Sequence, residues 1–183
     1  MALIAKWRLA YNLTGTRDAE AIARLHIVDS LACVPALRRT IGFASSLLDV
    51  GSGAGLPGVV FAICCPGLRV SCVDRVGKKV GFVRQVALEL GLGDLEVLQQ
   101  PVESMTGQQF SIIAARAFAS LGSLVDLTQH LLQSEGRWMA LKGETPDFEL
   151  HELASRQIMF HVERLPPSPG MERREIVWMS KVG

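Results

Sequence analysis

The apolar positions change their rhythm once, near residue 45. From 18 to 38, Ile22, Leu25, Ile27, Leu31 and Val34 recur mostly at helical spacing, and Asp18 stands where an N-cap belongs. Beyond residue 45 the apolar residues gather in short runs bounded by glycine. The runs at 47–50, 69–73, 95–98, 111–115 and 137–141 are predicted to be strands of a parallel sheet, covered on both faces. Between them, 76–91 is predicted to be a helix with Val76, Val80, Val83, Val86, Leu88 and Leu90 as its apolar positions and Gly91 as its stop. A further helix is predicted over 121–133. Pro57 suits the first turn of another, where its missing N–H costs nothing.

Strand–helix alternation of this kind predicts a doubly wound sheet with helices on both faces. The end of the chain breaks the pattern. Runs at 159–165 and 176–181 are separated only by Pro166-Pro167-Ser168-Pro169-Gly170, and a strand pair joined without a helix must be antiparallel. The expected fold is therefore α/β and Rossmann-like. It has a mostly parallel seven-stranded sheet, an antiparallel closing strand and N-terminal helices. One domain over 1–183 is expected, with 1–45 as its helical part and 46–183 as its core.

Composition narrows the class. Of 183 residues, 49% are hydrophobic and 20% charged, which excludes a disordered chain. Seventeen glycines without a three-residue period exclude collagen. The longest apolar run, 59–65, falls far short of the ~20 residues a membrane helix needs. Lys6 and Arg8 interrupt the N-terminal apolar stretch, so no secretory signal is expected and the cytoplasm is the expected compartment. Cys33, Cys64, Cys65 and Cys72 form no C-x-x-C pair and are expected to be buried free thiols. A net charge of +1 says nothing about partners, but its distribution does. Lys6, Arg8, Arg17, Arg24, Arg38 and Arg39 crowd the N-terminal part, and 75–84 carries Arg75, Lys78, Lys79 and Arg84 without an acid. Such clusters are solvated helix faces or phosphate-facing surfaces.

The candidate chemistry sits at the end of the first predicted strand, in Asp49-Val50-Gly51-Ser52-Gly53-Ala54-Gly55-Leu56-Pro57-Gly58. Glycines there let backbone approach a ligand, and the following helix offers free N–H groups. Residues 53–58 match G-x-G-x-x-G, and Asp74 lies where a ribose-binding acid belongs, which admits a dinucleotide. Asp49 argues against it, because a carboxylate at the strand end would repel a pyrophosphate. It suits instead the ammonium of S-adenosylmethionine, whose ribose Asp74 would serve equally well. The closing hairpin favours the same ligand.

Further motifs narrow the reading. Tyr11-Asn12-Leu13-Thr14, His26-Ile27-Val28-Asp29-Ser30, Gly55-Leu56-Pro57-Gly58, Lys78-Lys79-Val80, Arg116-Ala117-Phe118-Ala119-Ser120 and Ala140-Leu141-Lys142-Gly143 occur in that order. Together they closely resemble the glucose-inhibited division protein B family, bacterial methyltransferases acting on guanine N7 in 16S ribosomal RNA. The resemblance covers nearly the whole chain. It implies the class I methyltransferase fold, S-adenosylmethionine as cofactor, and ribosomal RNA or the small ribosomal subunit as partner. It also implies cofactor contacts from Gly51, Leu56, Val102, Glu103 and Arg116. With Asp49, Gly53, Gly55 and Asp74 from the loop argument, these make up the expected cofactor site. The family usually carries more helical residues ahead of the Tyr11 segment, which bears on the RNA-facing surface. Pro101 stands where the family more often has a basic residue.

Glu103 and Arg116 each follow a predicted strand, at the edge where open α/β sheets bind ligands. Arg116 suits the cofactor carboxylate or an RNA phosphate. Lys78, Lys79, Arg116 and Lys142 are the expected RNA contacts, with Arg8, Arg17 and Arg24 adding positive charge. His26 and Asp29 share a helix face, either as a structural pair or to place base or cofactor. Trp138 and Trp178 are expected in the core, and Trp7 is free to stack on a base. No nucleophile, general base or metal constellation is expected. Methyl transfer to N7 needs none, because N7 carries an unprotonated lone pair. A small-molecule methyltransferase or a non-catalytic RNA-binding relative is the alternative function. A monomer is the expected state, though the sequence leaves it open.

Overall fold

The computed structural model describes residues 19–42, 45–167 and 173–182, with side chains from residue 26 onward. Its strands are β1 (Ser46–Val50), β2 (Arg69–Asp74), β3 (Leu95–Gln99), β4 (Phe110–Arg116), β5 (Leu132–Lys142), β6 (Ile158–Arg164) and β7 (Glu175–Lys181). They form one seven-stranded sheet in the order β3-β2-β1-β4-β5-β7-β6. The first five are parallel, and β7 runs antiparallel to both β5 and β6. The expected antiparallel strand is present. It lies between β5 and β6 rather than at the border, which β6 occupies.

Alternation along each strand divides the core in two. Leu47, Val70, Cys72, Ile112, Ala114 and Met139 face α1 (Ala19–Thr40), α2 (Gly58–Cys64) and α3 (Gly77–Leu90). Leu48, Val50, Val73, Ile113, Ala115 and Trp138 face α4 (Leu121–Thr128) and α5 (Asp147–Ser155). Trp138 and Trp178 are buried as expected, as are Cys33, Cys65 and Cys72, and all four thiols are free. Helix α3 turns Val80, Phe82, Val83 and Val86 inward and ends at a left-handed Gly91, whereas Leu88 and Leu90 are exposed. Among the described residues no helix is long and apolar enough to cross a membrane. Asp18, Trp7, Arg8 and Arg17 lie outside the described residues.

Element boundaries differ from the sequence reading in several places. Helix α4 stops at Thr128 instead of continuing to 133. Thr128 Oγ1 donates to the Leu124 carbonyl at 2.5 Å and accepts the Trp138 indole N–H at 2.9 Å, and the chain then turns. The Leu131 carbonyl accepts the Phe110 N–H at 2.7 Å, drawing Leu132 into register with β4. Leu131 and Leu132 thus keep an apolar rhythm while changing element, and β5 begins five residues before the predicted 137. Pro57 precedes α2 as its N-cap rather than entering its first turn. Helix α5 was not anticipated. Its inward residues are Leu153, a half-buried Leu150 and a buried glutamate, Glu149, while Phe148 is exposed, so its apolar stripe is only two residues long.

Candidate active site

The strand order reverses between β1 and β4, so the loops leaving their carboxyl ends diverge and open a crevice, the usual ligand position in such sheets. The loop after β1 is tied down from below. The N–H groups of Gly51 and Ser52 both donate to the Val73 carbonyl, at 2.9 and 3.1 Å. Gly51, Gly53 and Gly55 all have positive φ. At Gly55 the need is also steric, since a Cβ would stand 2.6 Å from Val59 Cγ2. Leu56 is buried in the core, and its N–H donates to the Ser52 carbonyl at 3.2 Å.

Asp49 lies beneath this loop, 1% exposed. Its Oδ2 accepts the Gly58 N–H at 2.8 Å, and its Oδ1 is buried with no hydrogen-bond partner among the described residues. Burial drives the carboxyl up from 3.8 to about 6, opposed by the Gly58 N–H and the positive charge of Arg116, with Asp74 pushing it further upward. A Cβ on Gly58 would fall 2.5 Å from Cys72 Sγ and 2.8 Å from Asp49 Oδ2, so this close approach requires glycine.

Asp74, at the end of β2, shapes both neighbouring loops. Its Oδ2 accepts the Gly53 N–H at 3.0 Å and its Oδ1 the Val76 N–H at 2.8 Å, with Lys79 Nζ at 3.8 Å. A carboxylate has about four lone-pair sites, so acceptor capacity remains for ribose hydroxyls. Val102 and Glu103 begin the short 3-10 turn after β3. Val102 is buried, and Glu103 pairs with Arg75 across the rim, both exposed. Its own backbone N–H, and after it the Arg75 guanidinium, hold the Glu103 carboxyl below its ordinary range.

Arg116 ends β4 and joins a cluster the sequence revealed only in part. Its Nη1 lies 2.9 Å from His26 Nδ1 and 3.7 Å from Asp29 Oδ2, both on α1. Asp29 Oδ1 accepts a 2.9 Å hydrogen bond from Arg174 Nε. Arg174 was missed, yet the hairpin places it. Glu175 pairs with Lys142 in the β5–β7 ladder, so an antiparallel β7 must start at the carboxyl edge. Immediately after Arg116, Ala117 takes φ 55°, a left-handed conformation that costs a non-glycine residue about 1–3 kcal/mol.

The expected RNA contacts separate. Lys78 is exposed at the start of α3, and Lys79 stands over Asp74. Lys142 points inward, with Nζ 2.6 and 2.7 Å from the Glu149 carboxylate oxygens. The two side chains are 15% and 5% exposed, and Glu149 also accepts the Leu121 N–H at 2.8 Å. Lys142 therefore joins β5 to α4 and α5 and does not offer its charge to the crevice. The side chain of Arg24 is not described.

The fold matches solved methyltransferases of low sequence identity. A magnesium protoporphyrin IX methyltransferase from Synechocystis PCC 6803, solved with bound SAH, superposes with a TM-score of 0.72 at 13% identity, covering 97% of this chain and 93% of its own. A SAM dependent methyltransferase from Aquifex aeolicus gives 0.66 at 16% identity, over 91% of this chain and all of that one. Curated relatives are far nearer in sequence. The chain is 49% identical over its full length to ribosomal RNA small subunit methyltransferase G of Methylibium petroleiphilum, covering 83% of that protein. It is 49% identical to the enzyme of the same name from Polaromonas naphthalenivorans, covering 84% of it. The model of the GidB family, rRNA small subunit methyltransferase G, matches residues 1–176, and the chain belongs to that family.

Proposed function

We propose that this protein transfers a methyl group from S-adenosylmethionine to N7 of a guanine in 16S ribosomal RNA, acting in the cytoplasm on the free RNA or the small subunit. The observation that carries the cofactor assignment is the buried Oδ1 of Asp49 beside the glycine loop, unpartnered among the described residues. A dinucleotide would bring its pyrophosphate against that carboxylate, whereas the amino-acid end of S-adenosylmethionine brings an ammonium. The cofactor supplies an electrophilic methyl on its sulfonium.

In this reading Asp49 accepts the ammonium, and Gly51, Gly53, Gly55 and the Leu56 backbone line the loop against it. Asp74 accepts the ribose hydroxyls, Val102 and Glu103 flank the adenine, and Arg116 binds the carboxylate end. Guanine N7 attacks through its own lone pair, so the chain's task is alignment rather than proton transfer. Lys78 and Lys79, beside the crevice mouth, suit the RNA backbone.

Titration calorimetry tests the cofactor. S-adenosylmethionine should bind and NAD should not, and Asp74→Ala should weaken binding by about 1–3 kcal/mol through lost hydrogen bonds. Binding of NAD without S-adenosylmethionine would overturn the reading.

A further inference from the structure

The contact between Arg116 and His26 constrains protons as well as positions. A guanidinium only donates hydrogen bonds, so at 2.9 Å from Arg116 Nη1 the His26 Nδ1 must be an acceptor. Only the neutral imidazole bearing its proton on Nε2 offers that acceptor. The imidazolium would set a donor against a donor and a positive charge against a positive charge.

We infer that His26 is a positioning residue for the methyl transfer: as the neutral Nε2–H tautomer it holds Arg116 over the crevice, and on protonation it releases it. This inference rests on the reading that Arg116 serves the cofactor. Arg116 needs such a hold, because the chain leaves it through the left-handed Ala117, and its other partner among the described residues, Asp29, stands 3.7 Å away. Among the described residues three charged groups face His26: Arg116 from β4, Asp29 from its own helix, and Arg174 from just before β7. Nearby Cys33 is pushed up to about 12 by burial and remains uncharged. Partial burial and the charges of Arg116 and Arg174 hold the His26 pKa below 6.5, against the opposing charge of Asp29. The neutral form therefore prevails at neutral pH, and the contact is lost only at more acid pH than an ordinary histidine would require.

The two carboxylate and guanidinium neighbours supply a test that a purely structural role would fail. Asp29→Asn removes the charge that favours the imidazolium, so the pH at which His26 titrates moves down. Arg174→Gln removes one that disfavours it, so that pH moves up. His26→Asn keeps an acceptor near the Nδ1 position but removes the titration. Asp49 titrates in the same window in every variant, so the informative quantity is each variant's acid loss relative to wild type.

The experiment is titration calorimetry with S-adenosylhomocysteine from about pH 5 to about pH 8, alongside 15N NMR of the histidine rings. His26 signals are assigned by their absence in His26→Asn. The expected spectrum shows Nε2 protonated and Nδ1 unprotonated at neutral pH. Wild-type affinity should fall at acid pH about tenfold more than that of His26→Asn, the size of a lost hydrogen bond to a charged group. The Asp29→Asn and Arg174→Gln limbs should shift in opposite directions. A proton on Nδ1, equal acid losses in wild type and His26→Asn, or shifts in the same direction would each overturn the inference. Arg116→Gln separates this outcome from failure of the underlying reading. If it leaves affinity unaltered, Arg116 does not serve the cofactor, whatever tautomer His26 adopts.

Discussion

Replacing Asp49 by Asn should make the cofactor-free protein respond less to pH. Asp49 is fully buried, and its pKa rises from 3.8 unfolded to about 6 folded. A raised folded value means that its contribution to stability is complete below 3.8 and is lost as pH rises through about 6. At ~1.4 kcal/mol for each tenfold change in proton affinity, the loss approaches 3 kcal/mol by neutral pH, so roughly 2–3 kcal/mol disappears between about pH 4 and about pH 7. Asparagine carries no such term. Its carbonyl still accepts the Gly58 N–H, and its NH2 stands unpartnered where Oδ1 was, at a cost of about 1–3 kcal/mol that is equal at both pH values. Urea unfolding of both proteins at the two pH values isolates the difference. Asp49→Asn should gain roughly 2–3 kcal/mol on the wild type as pH rises, and adding S-adenosylhomocysteine should shrink the gap by giving Asp49 its ammonium. Parallel pH profiles without ligand would refute the assignment of a strained, ligand-seeking charge to this carboxylate.

Other positions give independent checks. Gly58→Ala forces a methyl to 2.5 Å from Cys72 Sγ and should lower stability by about 1–3 kcal/mol, read as a fall in Tm. Lys142→Ala leaves Glu149 buried without its counter-charge and should cost about 3–5 kcal/mol in denaturant unfolding. An unaltered midpoint there would show that the pair is not a structural element. Lys78→Glu should reduce the log–log salt dependence of RNA binding by about 0.7–0.9 or more while S-adenosylhomocysteine affinity holds, as seen by fluorescence anisotropy at several salt concentrations. Lys79 is unsuitable for that comparison because it stands 3.8 Å from Asp74.

How much the sequence disclosed depended on the range of the interactions. The strands β1, β2 and β4 were legible because buried parallel strands are apolar runs with glycine nearby, and the short run 95–98 also marked β3, a half-exposed border strand. The glycine loop and the strand-end positions of Asp49 and Asp74 were legible from local spacing, whereas the bonds from Gly51, Ser52 and Gly53 to Val73 and Asp74 join two strand–loop units and were not. The end of α4 was not, because Leu131 and Leu132 are apolar in either element and only the pairing of Phe110 with Leu132 decides between them. Helix α5 escaped notice because it buries a glutamate where a leucine would have signalled a face, and Lys142, far along β5, is what makes that burial affordable. Arg174 was missed for a different reason, the range of its contact. Its partner Asp29 is 145 positions away, and only the folded sheet brings them together.

The central claim is methyl transfer to guanine N7, and isotopic labelling tests it most directly. The protein would be incubated with S-adenosylmethionine carrying a labelled methyl and with 16S ribosomal RNA, free or in small subunits, from cells lacking this modification. The RNA would then be digested and its nucleosides separated. The account predicts label in 7-methylguanosine at a single site, abolished by Asp49→Ala. Label on another base or atom, or on a small molecule with none in the RNA, would contradict it.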